Sequence, residues 1–210
     1  MTDSDPRTAV SLELVRRAQA GEHAALERLF ARYYDRVRRI VRIRLGAGLR
    51  RMLDAEDILQ ETFVEAVRSF DAFEVREEAR LIDWLGRIAE NRIRAAARQA
   101  RAAKRDRARE VTLERLRSSV ASGALVPEPA ASITLPGDRA AAAEERERLE
   151  ECIAALKEEY REVILRRDYE GGSWATVASL MGSPGPNAAR MLHARALIEL
   201  AALVRRRAGE

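Results

Sequence analysis

Apolar residues recur along much of this chain with the period of a helix. From Glu22, the positions Leu26, Leu29, Phe30, Tyr33, Val37, Ile40, Val41 and Leu45 share one face, which predicts a long helix stopping near Gly46 and Gly48. A shorter segment before it, capped by Ser11 and closed by Gly21, predicts a first helix. In DAEDILQETFVEAVRSF, Asp54 to Phe70, a step of about 100° per residue puts Leu59, Phe63, Ala66, Val67 and Phe70 on one side. Asp54, Asp57, Glu61 and Glu65 fall on the opposite side. A fourth helix starts near Leu81, turns Leu85, Ile88, Ala89 and Ala96 inward, and runs through RQARAAKRDRAR. A short helix around Val111 to Arg117 is expected after it. Helices of this kind pack as a four-helix bundle.

Proline placement divides the chain. The 6 prolines leave 7–126 and 137–183 free of any, which gives two windows for helix. The stretch 118–137 carries Pro127, Pro129 and Pro136 with no amphipathic period, as an extended linker would. In the second window a helix through LEECIAALKEEYREVILRRDY, broken near Lys157, is stopped by Gly171 and Gly172. Ser173 then caps WATVASLMG, SPGP turns the chain, and NAARMLHARALIEL starts another helix, the pattern of a helix-turn-helix. Trp174, Val177, Ala178 and Met181 are expected to pack against Ala188, Leu192 and Leu197. That leaves Asn187, Arg190, Met191, His193, Ala194 and Arg195 to face a DNA groove. The predicted fold is all-α, with two small helical domains on a flexible linker.

Composition supports the helical reading. Of 210 residues, 47% are hydrophobic and only 5% aromatic, with Ala, Leu, Ile and Val set among abundant Arg and Glu. Charge then separates two surfaces. No Lys or Arg interrupts 54–65, although like charges at helical spacing cost a few tenths of a kcal/mol each, so this ridge is shaped for a basic partner. Between Trp84 and Arg109 the basic residues are Arg87, Arg92, Arg94, Arg98, Arg101, Lys104, Arg105, Arg107 and Arg109, against Glu90 and Asp106 alone. Trp84, Arg87, Asn91, Arg94 and Arg98 fall within roughly 80° of one another on that helix. Arginine forks suit phosphates, asparagine reads a base edge, and tryptophan offers a flat face to an unstacked base. The net charge of +4 agrees with an anionic partner.

Other chemistries find little support. Cys152 is the single cysteine, so no intrachain disulfide and no zinc cluster is expected. His23 and His193 lie far apart and no nucleophile has a base near it, so no enzyme, metal or cofactor is predicted. A magnesium-dependent nucleotide hydrolase could use Glu144, Glu147, Glu150 and Glu151, but leaves the basic helix and the helix-turn-helix unexplained. An ordinary helix-turn-helix repressor leaves the acidic ridge unexplained. The N-terminus shows no secretion signal and no apolar run reaches the ~20 residues of a membrane span, so a cytoplasmic protein without membrane insertion is expected.

Three stretches carry a resemblance. DAEDILQETFVEAVRSF, then FEVREEARLIDWLGRIAENRIR, then YEGGSWATVASLMG with ARMLHARAL, resemble in order the extracytoplasmic-function sigma factors, specificity subunits of bacterial RNA polymerase. The resemblance implies sigma region two at 11–106, a linker at 107–142, and sigma region four at 143–206. It implies two partners, bacterial RNA polymerase core and promoter DNA, and admits an anti-sigma factor as a third. Asp54, Asp57, Gln60 and Glu61 would bind the core enzyme. The loop from Glu74 to Arg80 and the helix with Trp84, Arg87, Asn91, Arg94 and Arg98 would read the minus-ten element, around a base flipped from the stack. Ser173, Asn187, Arg190, Met191, His193 and Arg195 would read the minus-thirty-five element. Asp83 departs from the family pattern and is expected to set a negative charge beside the phosphate path.

Overall fold

In a computed structural model, the backbone is described for residues 6–74, 81–115 and 138–209, with side chains for 11–74, 81–103 and 143–209. The helices are α1 (Pro6–Gln19), α2 (His23–Leu49), α3 (Ala55–Arg68), α4 (Leu81–Arg115), α5 (Asp138–Ala155), α6 (Glu158–Ile164), α7 (Trp174–Leu180) and α8 (Pro186–Ala208). A 3₁₀ turn, Phe70–Ala72, follows α3, and α6 runs on into a π-helical turn, Leu165–Tyr169. No strand occurs among the described residues.

The molecule is built around α2. Its stripe of Leu29, Val37, Ile40, Val41, Ile43 and Leu45 is buried, because the helix packs against α1, α3 and α4 of the first domain and also against α5. The two domains share one continuous apolar cluster, which in the second domain takes in Ile153, Val163, Leu165, Val177, Ala189 and Ala196.

Several local expectations change. Ser11 does not cap α1; the helix begins at Pro6, and Ser11 is buried one and a half turns in, where its hydroxyl accepts a hydrogen bond from Tyr33 at 3.1 Å. The expected stop at Gly46 is a kink instead: Gly46 has φ +56° and ψ 179°, and helix resumes to Leu49. A side chain there would also crowd the Ala154 carbonyl, since a Cβ would sit 3.1 Å from its oxygen. Val67, placed in the core by its spacing, is 52% exposed; Ile58 and Thr62 take the buried positions, with the Thr62 hydroxyl donating to the Ile58 carbonyl at 2.7 Å. The separate helix expected at Val111 is the end of α4, because an Arg/Ala-rich run without Gly or Pro gives no reason to stop. Both ends of the expected linker, 107–115 and 138–142, are therefore helical.

The second domain follows its pattern closely. Lys157 is extended (φ −54°, ψ 147°) and separates α5 from α6, and Gly171, with φ +77°, ends the run before α7. Gly182, with φ +62°, makes the turn into α8. The buried stripe of α8 is Ala189, Ala196 and Leu200 beside half-buried Leu192; Leu197, expected inside, is 43% exposed.

Candidate protein and nucleic-acid interfaces

The acidic ridge stands on α3. Asp54 is its N-cap, accepting a hydrogen bond from the Glu56 amide at 2.7 Å. Asp57, Gln60 and Glu61 are exposed, and Asp57 and Glu61 have no ion pair among the described residues. Glu65, expected to extend the ridge, is neutralised by Arg92 of α4, so the unpaired charge ends at Glu61. Glu56 is held by Arg38 at 2.9 Å and by the Tyr34 hydroxyl at 3.3 Å. Beside the ridge, Phe30, Tyr34, Phe63, Val64 and Val67 line a shallow apolar groove. The sequence reading missed it because it assigned Val67 to the core.

The basic face stands on α4. Arg87, Asn91, Arg94 and Arg98 are exposed on one side of the helix, as the spacing predicts. Arg94 pairs with Glu90 one turn back. Trp84 is not a free platform: it is half-buried against Phe73 and Phe70, with ring centroids 5.0 and 6.2 Å apart. Asp83 is 7% exposed and faces the seam between the domains, where its charge acts on Glu170. Of the loop expected to work with this helix, only Glu74 falls within the described residues.

On the helix-turn-helix, Ser173 caps α7, accepting from the Thr176 amide at 3.1 Å. Asn187 and Arg190 meet on the exposed first turns of α8, the Asn187 Oδ1 accepting from Arg190 Nη1 at 2.8 Å. Met191, 58% exposed, and Arg195 share that outward side. His193 turns inward, 2.8 Å from Asp168 through Nε2 and edge-on to Trp174, over which the Arg167 guanidinium lies at 4.4 Å and that of Arg190 at 5.8 Å. It braces α8 against α7 rather than standing among the outward residues.

One cluster escaped the sequence reading altogether. Arg44 of α2, with a side chain only 3% exposed, donates to the Gly86 carbonyl at 2.6 Å, to Glu170 at 2.7 Å and to Glu162 at 3.2 Å. Arg166 crosses the other way, to Glu90 at 3.1 Å. Burial pushes the Glu170 carboxyl above its ordinary range despite both arginines. Burial also pushes Glu90 upward, but Arg44, Arg166 and Arg94 together outweigh it and leave its pKa lowered. Arg44 follows Ile40 and Val41 by one turn, so it sits on the apolar stripe itself; that was its only signal. The glutamates of α5 make no comparable site, since Glu147 is paired with Arg42 and Glu151 with Arg207. Among the described residues, no group of three or more His, Cys, Asp or Glu is placed to hold a metal, and no helix is long and apolar enough to cross a membrane.

Comparison with known proteins agrees with this layout. The Sigma-70 region 2 family matches residues 29–103, which hold the ridge and the basic face. The Sigma-70, region 4 family matches residues 146–200, which hold the helix-turn-helix. The ECF RNA polymerase sigma-E factor of Salmonella typhimurium is 29% identical over 187 residues, 89% of this chain and 91% of the relative. The ECF RNA polymerase sigma factor BldN of Streptomyces coelicolor is 29% identical over 201 residues, 96% of this chain and 68% of the relative. CnrH, solved in complex with the cytosolic domain of CnrY, shares the fold at 22% identity with a TM-score of 0.55, over 93% of this chain and 97% of that one. With both regions present in order, the chain belongs to the extracytoplasmic-function sigma factors, subunits that bind core RNA polymerase and direct promoter-specific initiation.

Proposed function

We propose that three separate surfaces divide this work. The α3 ridge of Asp54, Asp57, Gln60 and Glu61 docks on a basic surface of core polymerase. Its unpaired carboxylates favour such a partner, and the neighbouring apolar groove adds area that a charged ridge alone lacks. The face of α4 around Arg87, Asn91, Arg94 and Arg98 takes the minus-ten strand, with Trp84 buttressing a base rather than stacking freely on it. The start of α8, through Asn187, Arg190, Met191 and Arg195, enters the groove at minus thirty-five. Ser173 acts on that site by capping α7, and His193 by bracing α8 against Asp168 and Trp174.

The observation that carries this reading is the separation of charge within one small body. A ridge with no basic residue lies on α3, and exposed arginines line α4 and the start of α8. The protein does no chemistry of its own in this scheme and works in the cytoplasm, where the polymerase is. An anti-sigma protein is a further partner; CnrH, of the same fold, was solved with the cytosolic domain of CnrY.

Site-specific photocrosslinking tests the assignment. A photoreactive residue at Arg87 in the reconstituted holoenzyme should label the non-template strand at minus ten, and one at Arg195 should label minus thirty-five. Interchanged or absent labels would remove the two assignments while leaving the family membership intact.

A further inference from the structure

We infer that Trp174 and Asn187 are positioning residues for the minus-thirty-five contact, which hold the Arg190 guanidinium in place before DNA arrives. Their role rests on the proposed placement of the start of α8 in that groove. Asn187 Oδ1 accepts from Arg190 Nη1 at 2.8 Å, and the Arg190 guanidinium lies 5.8 Å from the centre of the Trp174 ring. Arg190 is exposed and follows Asn187 by three residues, so the pair shares one side of α8.

The ring beneath the arginine is itself held. Trp174 is the first residue of α7, next to its Ser173 cap, and is half-buried against the apolar core. His193 meets the ring edge-on with centroids 5.4 Å apart, and Asp168 holds that imidazole at 2.8 Å. Arg167 lies over the ring at 4.4 Å and is tied through Nη1 to the Gly172 carbonyl at 2.8 Å. A ring gripped by all of these keeps its orientation, and its π-electrons attract a guanidinium.

The grip orders the arginine without neutralising it. Among the described residues neither Arg167 nor Arg190 has a carboxylate partner; Asp168, the acid nearest to Arg167 in sequence, is taken by His193. A neutral amide and a ring hold Arg190, so its whole positive charge faces the DNA, and the rest of its fork stays free for a base edge or a phosphate. No ion pair has to break first. An arginine left loose would lose its rotamer freedom on docking, at a cost in affinity on the order of tenfold.

The same bond changes the part that Asn187 plays. An asparagine that reads adenine accepts through Oδ1 and donates through Nδ2 to one base edge. Here Oδ1 already accepts from Arg190. Turning the amide over would set its N–H groups against the guanidinium donors, so hydrogen-bond chemistry fixes its orientation. Asn187 therefore acts through Arg190 and is not an independent reader of a base.

Reconstituted holoenzyme tests this on a pool made from one promoter recovered by start-site mapping, its minus-thirty-five element randomised and the bound DNA sequenced. Arg190→Ala should lose about tenfold in preference at one or two base positions. Asn187→Ala and Trp174→Leu should each lose about threefold at those same positions, and Trp174→Phe, which keeps a flat ring, should recover part of it. On an Arg190→Ala background neither should change the preference further. Three results would overturn the inference alone: a lost preference in Asn187→Ala at a position Arg190 does not share, a uniform loss in Trp174→Leu that adds to that of Arg190→Ala, or no loss from either. Asn187→Ala changes an exposed side chain, so the test stands even where Trp174→Leu fails to fold. An unchanged preference in Arg190→Ala would overturn the placement of α8 in the groove and the inference with it.

Discussion

Arg44 Nη2 lies 2.7 Å from Glu170 Oε1, and both side chains are all but sealed from water, at 3% and 4% exposure. The pair joins two domains whose sequences give no hint of each other. Removing one member strands the other's charge in the interior, so Arg44→Ala should cost about 3–5 kcal/mol in urea unfolding. Arg42→Ala, which breaks a pair with the half-exposed Glu147, should cost about 1 kcal/mol or less. Equal costs for the two would show that the Arg44 cluster is solvated.

The ridge makes a second contrast. Replacing Asp57 and Glu61 together by Lys changes exposed positions, so the fold should keep its helix signal and its unfolding midpoint to within about 0.5 kcal/mol. Co-purification with core polymerase should be lost. A folded variant that still binds core would take these carboxylates out of the docking surface.

Ser173 separates a structural role from a DNA contact. Ser173→Ala removes the cap on α7 and should cost roughly 1 kcal/mol. Ser173→Asp should restore the cap, since a carboxylate also accepts from the helix amides, while placing negative charge at the helix start. If the hydroxyl only caps, the Asp variant recovers both stability and minus-thirty-five binding. If it also touches DNA, stability returns in thermal unfolding while duplex binding stays weakened.

Alkaline pH probes the seam between α2 and the second domain. Burial, with help from Glu150, pushes the Tyr169 phenol from 10.0 up to about 12. The folded state therefore holds this proton where the unfolded state has lost it. Stability should be unaffected by the group below pH 10, fall as pH rises from 10 to 12, and level off above. The slope should amount to about 1–2 kcal/mol after allowing for the partial exposure of the ring. Tyr169→Phe should abolish this component, measured as the pH dependence of the urea midpoint; an unchanged slope would mean the phenol is free to ionise.

Much of this was legible in the residues. Helical period and glycine placement located α3, α7 and the start of α4, and the break at Lys157, because local patterns set those features. The exposed face of Arg87, Asn91, Arg94 and Arg98 followed from spacing alone. Val67 was misread because it lies at the edge of the apolar arc, where a turn of a few degrees decides between core and groove. Trp84 and His193 were expected to face outward, but partners distant in sequence, Phe73 and Asp168, draw them in. The Arg44 cluster was invisible for the same reason: its members lie up to 126 positions apart and only tertiary packing brings them together.

Run-off transcription with bacterial core enzyme, over a genomic promoter library with start sites mapped, tests the central claim most directly. Adding this protein should give initiation at a defined set of promoters that share a two-element motif, with starts that core enzyme alone does not make. Start sites indistinguishable from those of core alone would contradict it.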